Sequence, residues 1–224
     1  MKRVPIPELL DTDAGSPSEV AACLADLRWF NRWFGGVTTS AALVEGVARQ
    51  AGARSLSMLE VACGAGYVPA TVAAQLRPRG IKVEVALLDR ALSHINGGSR
   101  NGMPAVVGNA VALPFSDNSF DLVSSNLFTH HLSPQELLQF VKEGLRVCRT
   151  AVIINDLVRH PLHLAVVYAG LPLYRSRITR HDAPASVRQA YTEGEMGKIL
   201  SQMSATRVEF MRGFLYRMGV TVWK

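Results

Sequence analysis

The fold is decided by one short stretch, Leu56-Ser-Met-Leu-Glu-Val-Ala-Cys-Gly-Ala-Gly-Tyr67. Its apolar run closes on the acidic residue Glu60 and on a turn that contains Gly64 and Gly66. The alanine-rich run that follows, as far as Leu76, favours a helix. Glycine allows the turn a positive φ and lets a ligand lie against bare backbone, and the helix N-terminus offers unpaired N–H groups. The stretch therefore predicts a nucleotide-binding strand–turn–helix unit.

The residues around this turn narrow the type of ligand. A dinucleotide fingerprint requires a third small residue at position 69, but the chain has Pro69, which lacks an N–H that a pyrophosphate could use. Glu60 is unfavourable beside a phosphate, whereas it suits a ligand with positive charge, such as the sulfonium and amino group of S-adenosylmethionine. A tight strand–helix turn without a ligand is the alternative interpretation of this motif alone.

Two further motifs follow in order. A predicted strand, Lys82 to Asp89, ends in a carboxylate 25 residues after Gly64, about the spacing at which such folds bind the ribose hydroxyls. A carboxylate can accept two hydrogen bonds from a cis-diol. The third motif is Gly108-Asn-Ala-Val-Ala-Leu-Pro-Phe115, and Phe120-Asp-Leu-Val123 starts the next predicted strand.

The three motifs together resemble those of class I S-adenosylmethionine-dependent methyltransferases, although Asn109 stands where that family often has aspartate. The resemblance implies an α/β, single-domain Rossmann-like fold with a seven-stranded, mostly parallel sheet. Predicted strands at 205–211 and 216–222 would form its C-terminal antiparallel hairpin. It also implies S-adenosyl-L-methionine as the cofactor.

The resemblance carries site residues over to this chain. The cofactor-binding residues that it implies are Glu60, Ala62, Cys63, Gly64, Gly66, Asp89, Arg90, Asn109, Ala110, Asn126 and Leu127. His130 and His131 follow the fourth strand in the loop that the family places beside the methionine end of the cofactor. Histidine titrates near neutrality and suits general-base catalysis, so both are candidate catalytic residues. A structural role for at least one of them is the alternative.

Candidate acceptor-binding residues lie outside these motifs. Residues 1–52 are predicted to form an N-terminal arm and a helical lid, and residues 53–224 the methyltransferase domain. The six candidates are aromatic residues of the lid and polar residues near the later strands: Trp29, Trp33, Asn155, Arg159, Arg180 and His181. Packing or surface roles are the alternative for each.

The apolar run 161–174 predicts a core helix or, alternatively, a pocket wall or an interfacial contact. The stretch 175–188 is predicted to be a polar connection.

The composition limits the partners, the metal content and the cellular location that can be expected. The chain has 224 residues, a net charge of +6 and three scattered cysteines. The length favours one domain, and the dispersed basic residues indicate no nucleic-acid partner, while a weak membrane-surface contact is left open. The cysteines lack metal-ligand spacing, so no metal site is expected, and reduced thiols fit a cytoplasmic protein.

Three short stretches resemble a narrower bacterial group, the methylases of quinone biosynthesis and of polyketide-derived phenols. They are Asn31-Arg-Trp33, Asn155-Asp-Leu-x-Arg159 and Arg180-His-Asp-x-Pro-x-Ser-Val-Arg188. This resemblance implies a small, largely apolar acceptor of secondary metabolism, methylated on a phenolic oxygen. The alternatives are carbon methylation of a quinone-type acceptor, an RNA or protein methyltransferase, and a nucleotide-binding module without methyl transfer.

Overall fold

The computed structural model describes residues 1–12, 15–96, 102–203 and 207–224, and one seven-stranded sheet lies at its centre. The strands are β1 Ser55–Val61, β2 Lys82–Asp89, β3 Ala105–Val107, β4 Phe120–Asn126, β5 Cys148–Leu157, β6 Arg207–Arg212 and β7 Arg217–Trp223. Their order in the sheet is β3-β2-β1-β4-β5-β7-β6. The pairs among β1 to β5 are parallel, and β7 is antiparallel to β5 and β6. The predicted sheet and its closing hairpin are confirmed; position 205 lies outside the described residues.

Helices cover both faces of the sheet. They are α1 Pro17–Trp33, α2 Gly36–Gln50, α3 Tyr67–Leu76, α4 Leu92–Asn96, α5 Pro134–Val147, α6 Pro161–Gly170, α7 Arg177–Gln189 and α8 Glu193–Leu200. Side chains alternate along a strand. In β1, Met58 therefore packs with α2 and α3, whereas Leu59 and Val61 pack with α5 and α8 on the other face. Both faces are buried, which explains why the parallel strands are so apolar.

The two segments after β5 differ from the first interpretation of each. Helix α6 is not a core helix, because Leu162 and Val166 are 61% and 53% exposed; the alternative, a pocket wall, agrees with the position of Val166 and Val167 at the cavity described below. The predicted polar connection is helix α7, which Ser176 caps through a hydrogen bond from the Ile178 N–H. The interior Pro184 and the many charged residues of α7 interrupt its helical pattern in the sequence. Its buried face, which includes Ile178 and Val187, was therefore not predicted.

The N-terminal arm is tied to α7. The N–H groups of Leu9 and Leu10 donate to the two carboxylate oxygens of Asp182, at 2.8 and 3.0 Å. The Arg3 guanidinium donates to the carbonyl oxygens of Gln189 and His130 at 2.6 and 2.9 Å. These contacts bring the arm across the C-terminal edge of the sheet.

Within the described ranges, none of the helices has the length and apolar character needed to cross a membrane.

Candidate active site

One cavity of about 870 Å³ opens at the C-terminal ends of the parallel strands. Ten of the eleven predicted cofactor residues, both histidines and one predicted acceptor residue line it: Glu60, Ala62, Cys63, Gly64, Asp89, Arg90, Asn109, Ala110, Asn126, Leu127, His130, His131 and Trp29. Parallel strands place their carboxyl ends at one edge, where doubly wound sheets bind ligands. The structure therefore brings together motifs that lie far apart in the sequence.

The glycine turn is built from left-handed backbone. Ala62, Gly64 and Gly66 have φ values of 54°, 52° and 72°. Apart from Gly64 itself and its two chain neighbours, the described residues have no heavy atom within 4 Å of a Cβ built on Gly64, whereas a Cβ on Gly66 would lie 2.9 Å from Leu87 Cδ1. Gly64 thus presents bare backbone to the cavity. Gly66 does not line the cavity but allows α3 to begin against β2.

Glu60 is the penultimate residue of β1 and carries a buried carboxyl group, with 3% of its surface exposed. Burial raises its pKa to about 7, although a hydrogen bond with Ser124 acts in the opposite direction. Loss of hydration disfavours the charged form of the group. A cation placed beside Glu60 would restore the carboxylate form.

Asp89 holds the turn from the neighbouring strand. Its Oδ2 accepts the Gly64 N–H at 2.8 Å, and its Oδ1 accepts the Ala91 N–H at 3.0 Å. Burial acts to raise the pKa of Asp89, but hydrogen bonds from His94 and these two N–H groups lower it overall. Asp89 is therefore ionised, and its oxygens remain at the cavity wall.

Asn109 and Asn126 line the cavity from the loop after β3 and the end of β4. The Asn109 Oδ1 accepts the Val111 N–H at 3.1 Å, which fixes its side chain in a turn. The Asn126 Oδ1 accepts from Arg217 Nη1 at 3.2 Å. Leu127, which follows, is left-handed with φ 54°. Such strained backbone concentrates at functional sites.

Arg217 is a cavity residue that the sequence interpretation missed. The guanidinium is buried and also donates to the Asn31 side-chain oxygen and to the Phe34 carbonyl oxygen, at 3.1 and 3.2 Å. Burial lowers its pKa to about 10, although the charge of Asp156 raises it. Its position at the start of the last strand follows no local motif, so only the sheet topology shows it.

His130 is held by Asp156. The Nδ1 atom of the buried imidazole lies 2.6 Å from Asp156 Oδ1, and Asp156 Oδ2 accepts the His130 N–H at 3.0 Å and the Thr129 hydroxyl at 2.6 Å. Burial alone would lower the pKa of His130, but the charge and hydrogen bond of Asp156, together with Glu8, raise it to about 10. The same pair lowers the pKa of Asp156. Without a ligand at the cavity, His130 is thus a protonated, anchored group rather than a free base.

His131 is the more accessible histidine, and its side chain is 20% exposed. Its Nδ1 lies 2.8 Å from Asp11 Oδ2, and its Nε2 lies 3.9 Å from Glu8 Oε2. The Glu8 Oε1 accepts from Ser186 Oγ and Gln189 Nε2 at 2.6 and 2.7 Å. The arm therefore adds Glu8 and Asp11 to the cavity. Neither residue was predicted from the sequence, since no spacing links the arm to the histidine loop.

Five predicted acceptor residues lie outside the cavity lining. Trp33 is 58% exposed on α1, while Arg180 and His181 are exposed on α7. The buried Asn155 amide donates to Gly36 O and Ser40 Oγ at 2.8 and 2.9 Å, which anchors α2. The buried Arg159 donates to the Ala190 carbonyl oxygen at 2.6 Å and pairs with Glu195, so it links β5 to α8.

Comparison with known proteins agrees with this geometry. Residues 59–154 match the family model of the methyltransferase domain. The chain is similar to the structure of a SAM dependent methyltransferase from Aquifex aeolicus, with 21% identity over 80% of this chain and 88% of that one and a TM-score of 0.57. The plantazolicin methyltransferase BpumL, in complex with an analog of desmethylPZN and SAH, gives 12% identity over 91% and 88%, with a TM-score of 0.69.

A third solved structure is the CMeT domain of the citrinin polyketide synthase, with 15% identity over 75% of this chain and 46% of that one and a TM-score of 0.55. At identities this low, the similarity to these solved structures shows the fold alone. A search of curated proteins gives no match.

The matched domain contains the glycine turn, Asp89, the loop after β3 and the histidine loop. Residues 59–154 are thus a methyltransferase domain, and the protein is a methyltransferase enzyme with the Rossmann-like methyltransferase fold. Its cofactor is S-adenosylmethionine.

Proposed function

We propose that the protein methylates a hydroxyl oxygen of a small, largely apolar acceptor, most simply a phenol. The supporting observation is that one cavity of about 870 Å³ joins the glycine turn to a polar cluster under an apolar cap. Small-ligand sites are typically apolar cavities of about 300–1,000 Å³ with a few convergent polar groups. Two of the similar structures carry the names of natural products, plantazolicin and citrinin.

The cofactor site is proposed at the glycine turn. The open space beside Gly64, the buried carboxyl group of Glu60 and the ionised Asp89 fit a ligand with a positive charge and a ribose. Bound S-adenosylmethionine supplies a methyl group on a sulfonium. Glu60 would hold the positive end, Asp89 the ribose hydroxyls, and Asn109 with Ala110 the adenine ring, with the remaining lining residues of the predicted set around them.

The acceptor site is proposed under the cap. Apolar side chains from α1, α6 and α7 line this part of the cavity: Leu24, Leu27, Phe30, Val166, Val167 and Val187. Trp29 lies at its rim and is 41% exposed. We extend the predicted division at residue 52 as a proposal in which the arm and α1 act as the cap. Helix α2 instead packs with α3 in the core.

The hydroxyl end of the acceptor would meet Glu8 and His131. His131 Nε2 and the Glu8 carboxylate are two proton acceptors at the cavity, and they lie 3.9 Å apart. Loss of the hydroxyl proton makes the oxygen a better nucleophile, and a positioned base contributes about 10²–10⁴ in rate. Holding the oxygen and the methyl donor together in one cavity supplies much of the remainder.

The experiment compares turnover with labelled S-adenosylmethionine on a panel of phenols and on peptide and RNA controls. We expect methylation of phenols only. Val167→Trp, which fills the acceptor region, should raise the KM for the phenol and leave cofactor affinity unchanged. Leu162→Trp is the matched control, because Leu162 lies on the same helix outside the cavity and is 61% exposed. Methylation of RNA or peptide with no phenol turned over would overturn the proposal.

A further inference from the structure

We propose that Glu8, His130 and His131 form a binding site for one divalent transition-metal ion of the zinc type, open to the acceptor cavity. The three residues come from the N-terminal arm and the histidine loop, and they converge although more than a hundred residues separate these segments. The site would replace the expectation, based on cysteine spacing, that the protein has no metal site.

The separations between the ligand atoms fit a shared ion. Glu8 Oε1 lies 3.5 Å from His130 Nε2, and Glu8 Oε2 lies 3.9 Å from His131 Nε2. The three ligand atoms all lie within 4.8 Å of one another. Two ligands of a tetrahedral zinc ion, with bonds of about 2.0–2.2 Å, lie roughly 3.4 Å apart. The observed separations are longer than good hydrogen bonds, and small side-chain shifts would close them onto one ion.

The outer contacts of the histidines are those of metal ligands. His130 Nδ1 faces Asp156 Oδ1 at 2.6 Å, and His131 Nδ1 faces Asp11 Oδ2 at 2.8 Å. A carboxylate can only accept, so each Nδ1 carries the proton and each Nε2 is turned toward Glu8. His130 is protonated on both ring nitrogens when no ion is bound, so an ion would displace its Nε2 proton to solvent. Metal-bound histidines almost always donate their other ring N–H to a carboxylate or carbonyl in this way. Two independent carboxylate–histidine pairs thus point at one place.

The carboxylate ligand is also held in place. Ser186 Oγ and Gln189 Nε2 both donate to Glu8 Oε1, at 2.6 and 2.7 Å. Such contacts orient a ligating carboxylate. Two imidazoles and one carboxylate are a donor set of catalytic zinc sites, in which a further position stays open for water or substrate. All three residues line the cavity, so that position would face the acceptor.

The site deepens the proposed function, on which its role in the reaction rests. An ion here would coordinate the acceptor hydroxyl oxygen and lower its pKa, as zinc does for bound water. The O–H bond breaks, its electron pair stays on oxygen and the proton leaves to solvent, so no oxidant or reductant is needed. With the ion bound, His131 would be a metal ligand, and coordination of the hydroxyl oxygen would take over the role that the proposed function gives to a general base.

The test titrates zinc chloride into the untagged full-length chain, after treatment with a chelator, by calorimetry and by thermal unfolding. We expect one equivalent of zinc to bind and to raise the Tm. Glu8→Gln and His131→Ala should each lower zinc affinity more than about tenfold, and Asp11→Asn by about 10–100-fold. Asp117→Asn is the control, because the side chain of this residue is 70% exposed and lies outside the cavity, so the variant should bind zinc like the wild type.

Circular dichroism of each variant shows whether it is folded, and Asp11→Asn keeps the test valid if Glu8→Gln fails to fold. The metal site would be overturned if the wild type showed no saturable zinc binding. It would also be overturned if folded His131→Ala and Asp11→Asn both bound zinc with the affinity of the wild type. Phenol methylation by the metal-free protein would then leave the proposed function standing. Zinc binding that depends on His131, with no phenol methylated, would support the metal site and contradict the proposed acceptor.

Discussion

The Nδ1 atom of His130 and the Oδ1 atom of Asp156 lie 2.6 Å apart inside the protein. The second oxygen of Asp156 binds the His130 N–H and the Thr129 hydroxyl, so a single carboxylate from β5 holds the whole turn after β4. This pair presents the neighbouring His131 to the cavity. The sheet thereby positions a loop that has no regular structure beyond a short turn.

Removal of the Asp156 charge should destabilise the protein. We expect Asp156→Asn to lower the free energy of unfolding by about 3–5 kcal/mol, because a buried imidazolium would lose its partner. Urea denaturation followed by circular dichroism measures this. Asp117→Asn is the control: Asp117 also forms an ion pair, with Arg146, but its side chain is 70% exposed, so about 0–1 kcal/mol is expected. Equal effects of the two substitutions would contradict the structural role of the buried pair.

Asp89 should matter for the cofactor more than other acids of its strand. Asp89→Ala is expected to weaken the binding of S-adenosylhomocysteine by about 1–3 kcal/mol, since the ribose loses a charged acceptor and the Gly64 N–H loses its partner. Calorimetry measures the affinity. Glu84→Ala provides the comparison, because Glu84 lies on β2 and its side chain is 63% exposed. Wild-type affinity in folded Asp89→Ala protein would remove Asp89 from the site.

Cofactor binding should depend on pH through Glu60. Its pKa is raised to about 7, so the free protein is largely protonated at this residue below pH 7. A positively charged ligand favours the carboxylate, and binding then releases a proton. The affinity for S-adenosylmethionine should therefore fall as pH decreases below about 7, by up to tenfold per unit, and level off above it.

The Glu60→Gln variant isolates this effect. It should bind more weakly at pH 8 and show no change in affinity between about pH 6 and 8. The free variant should also be more stable than the wild type at pH 8, because a raised acid pKa means that the buried charge lowers stability as pH rises from 4.5 to about 7. A wild-type affinity that is constant from pH 6 to 8 would contradict the assignment of Glu60.

The two glycines of the turn should respond differently. Both Gly64→Ala and Gly66→Ala impose a left-handed alanine, at roughly 1–2 kcal/mol each. Only at Gly66 would the added Cβ also press on Leu87, at 2.9 Å. We expect Gly66→Ala to be the less stable protein by thermal unfolding, whereas Gly64→Ala should lose cofactor affinity with a smaller change in Tm. The reverse order would contradict the described turn.

Much of the cofactor side was predictable from local sequence. The turn from Glu60 to Gly66 and the acid that ends β2 depend on spacing within one strand–turn–helix unit, and such spacing is visible in the chain. Asn109 was predictable for the same reason, from its position in the motif that follows the next strand. The fold could be predicted because parallel strands bring these ends to one edge.

The acceptor side was not predictable in this way. Glu8 contacts His130 and Ser186, which lie more than a hundred residues later in the sequence, and no periodicity connects these residues. The stretch that forms α7 looked like a loop because Pro184 and charged residues interrupt its pattern, while tertiary packing with α1, α6 and the arm forms the helix. Arg159 looked functional by its position after β5 but has structural partners.

The most direct measurement locates the methyl group in the product. The protein is incubated with cofactor labelled with ¹³C in the methyl group and with a phenol that also has a free ring position and an amine, and the product is examined by nuclear magnetic resonance. We expect a single labelled methoxy group, formed quickly by the wild type and about 10²–10⁴ times more slowly by His131→Ala. A label on ring carbon or nitrogen, or an undiminished rate in that variant, would contradict base-assisted methylation of oxygen.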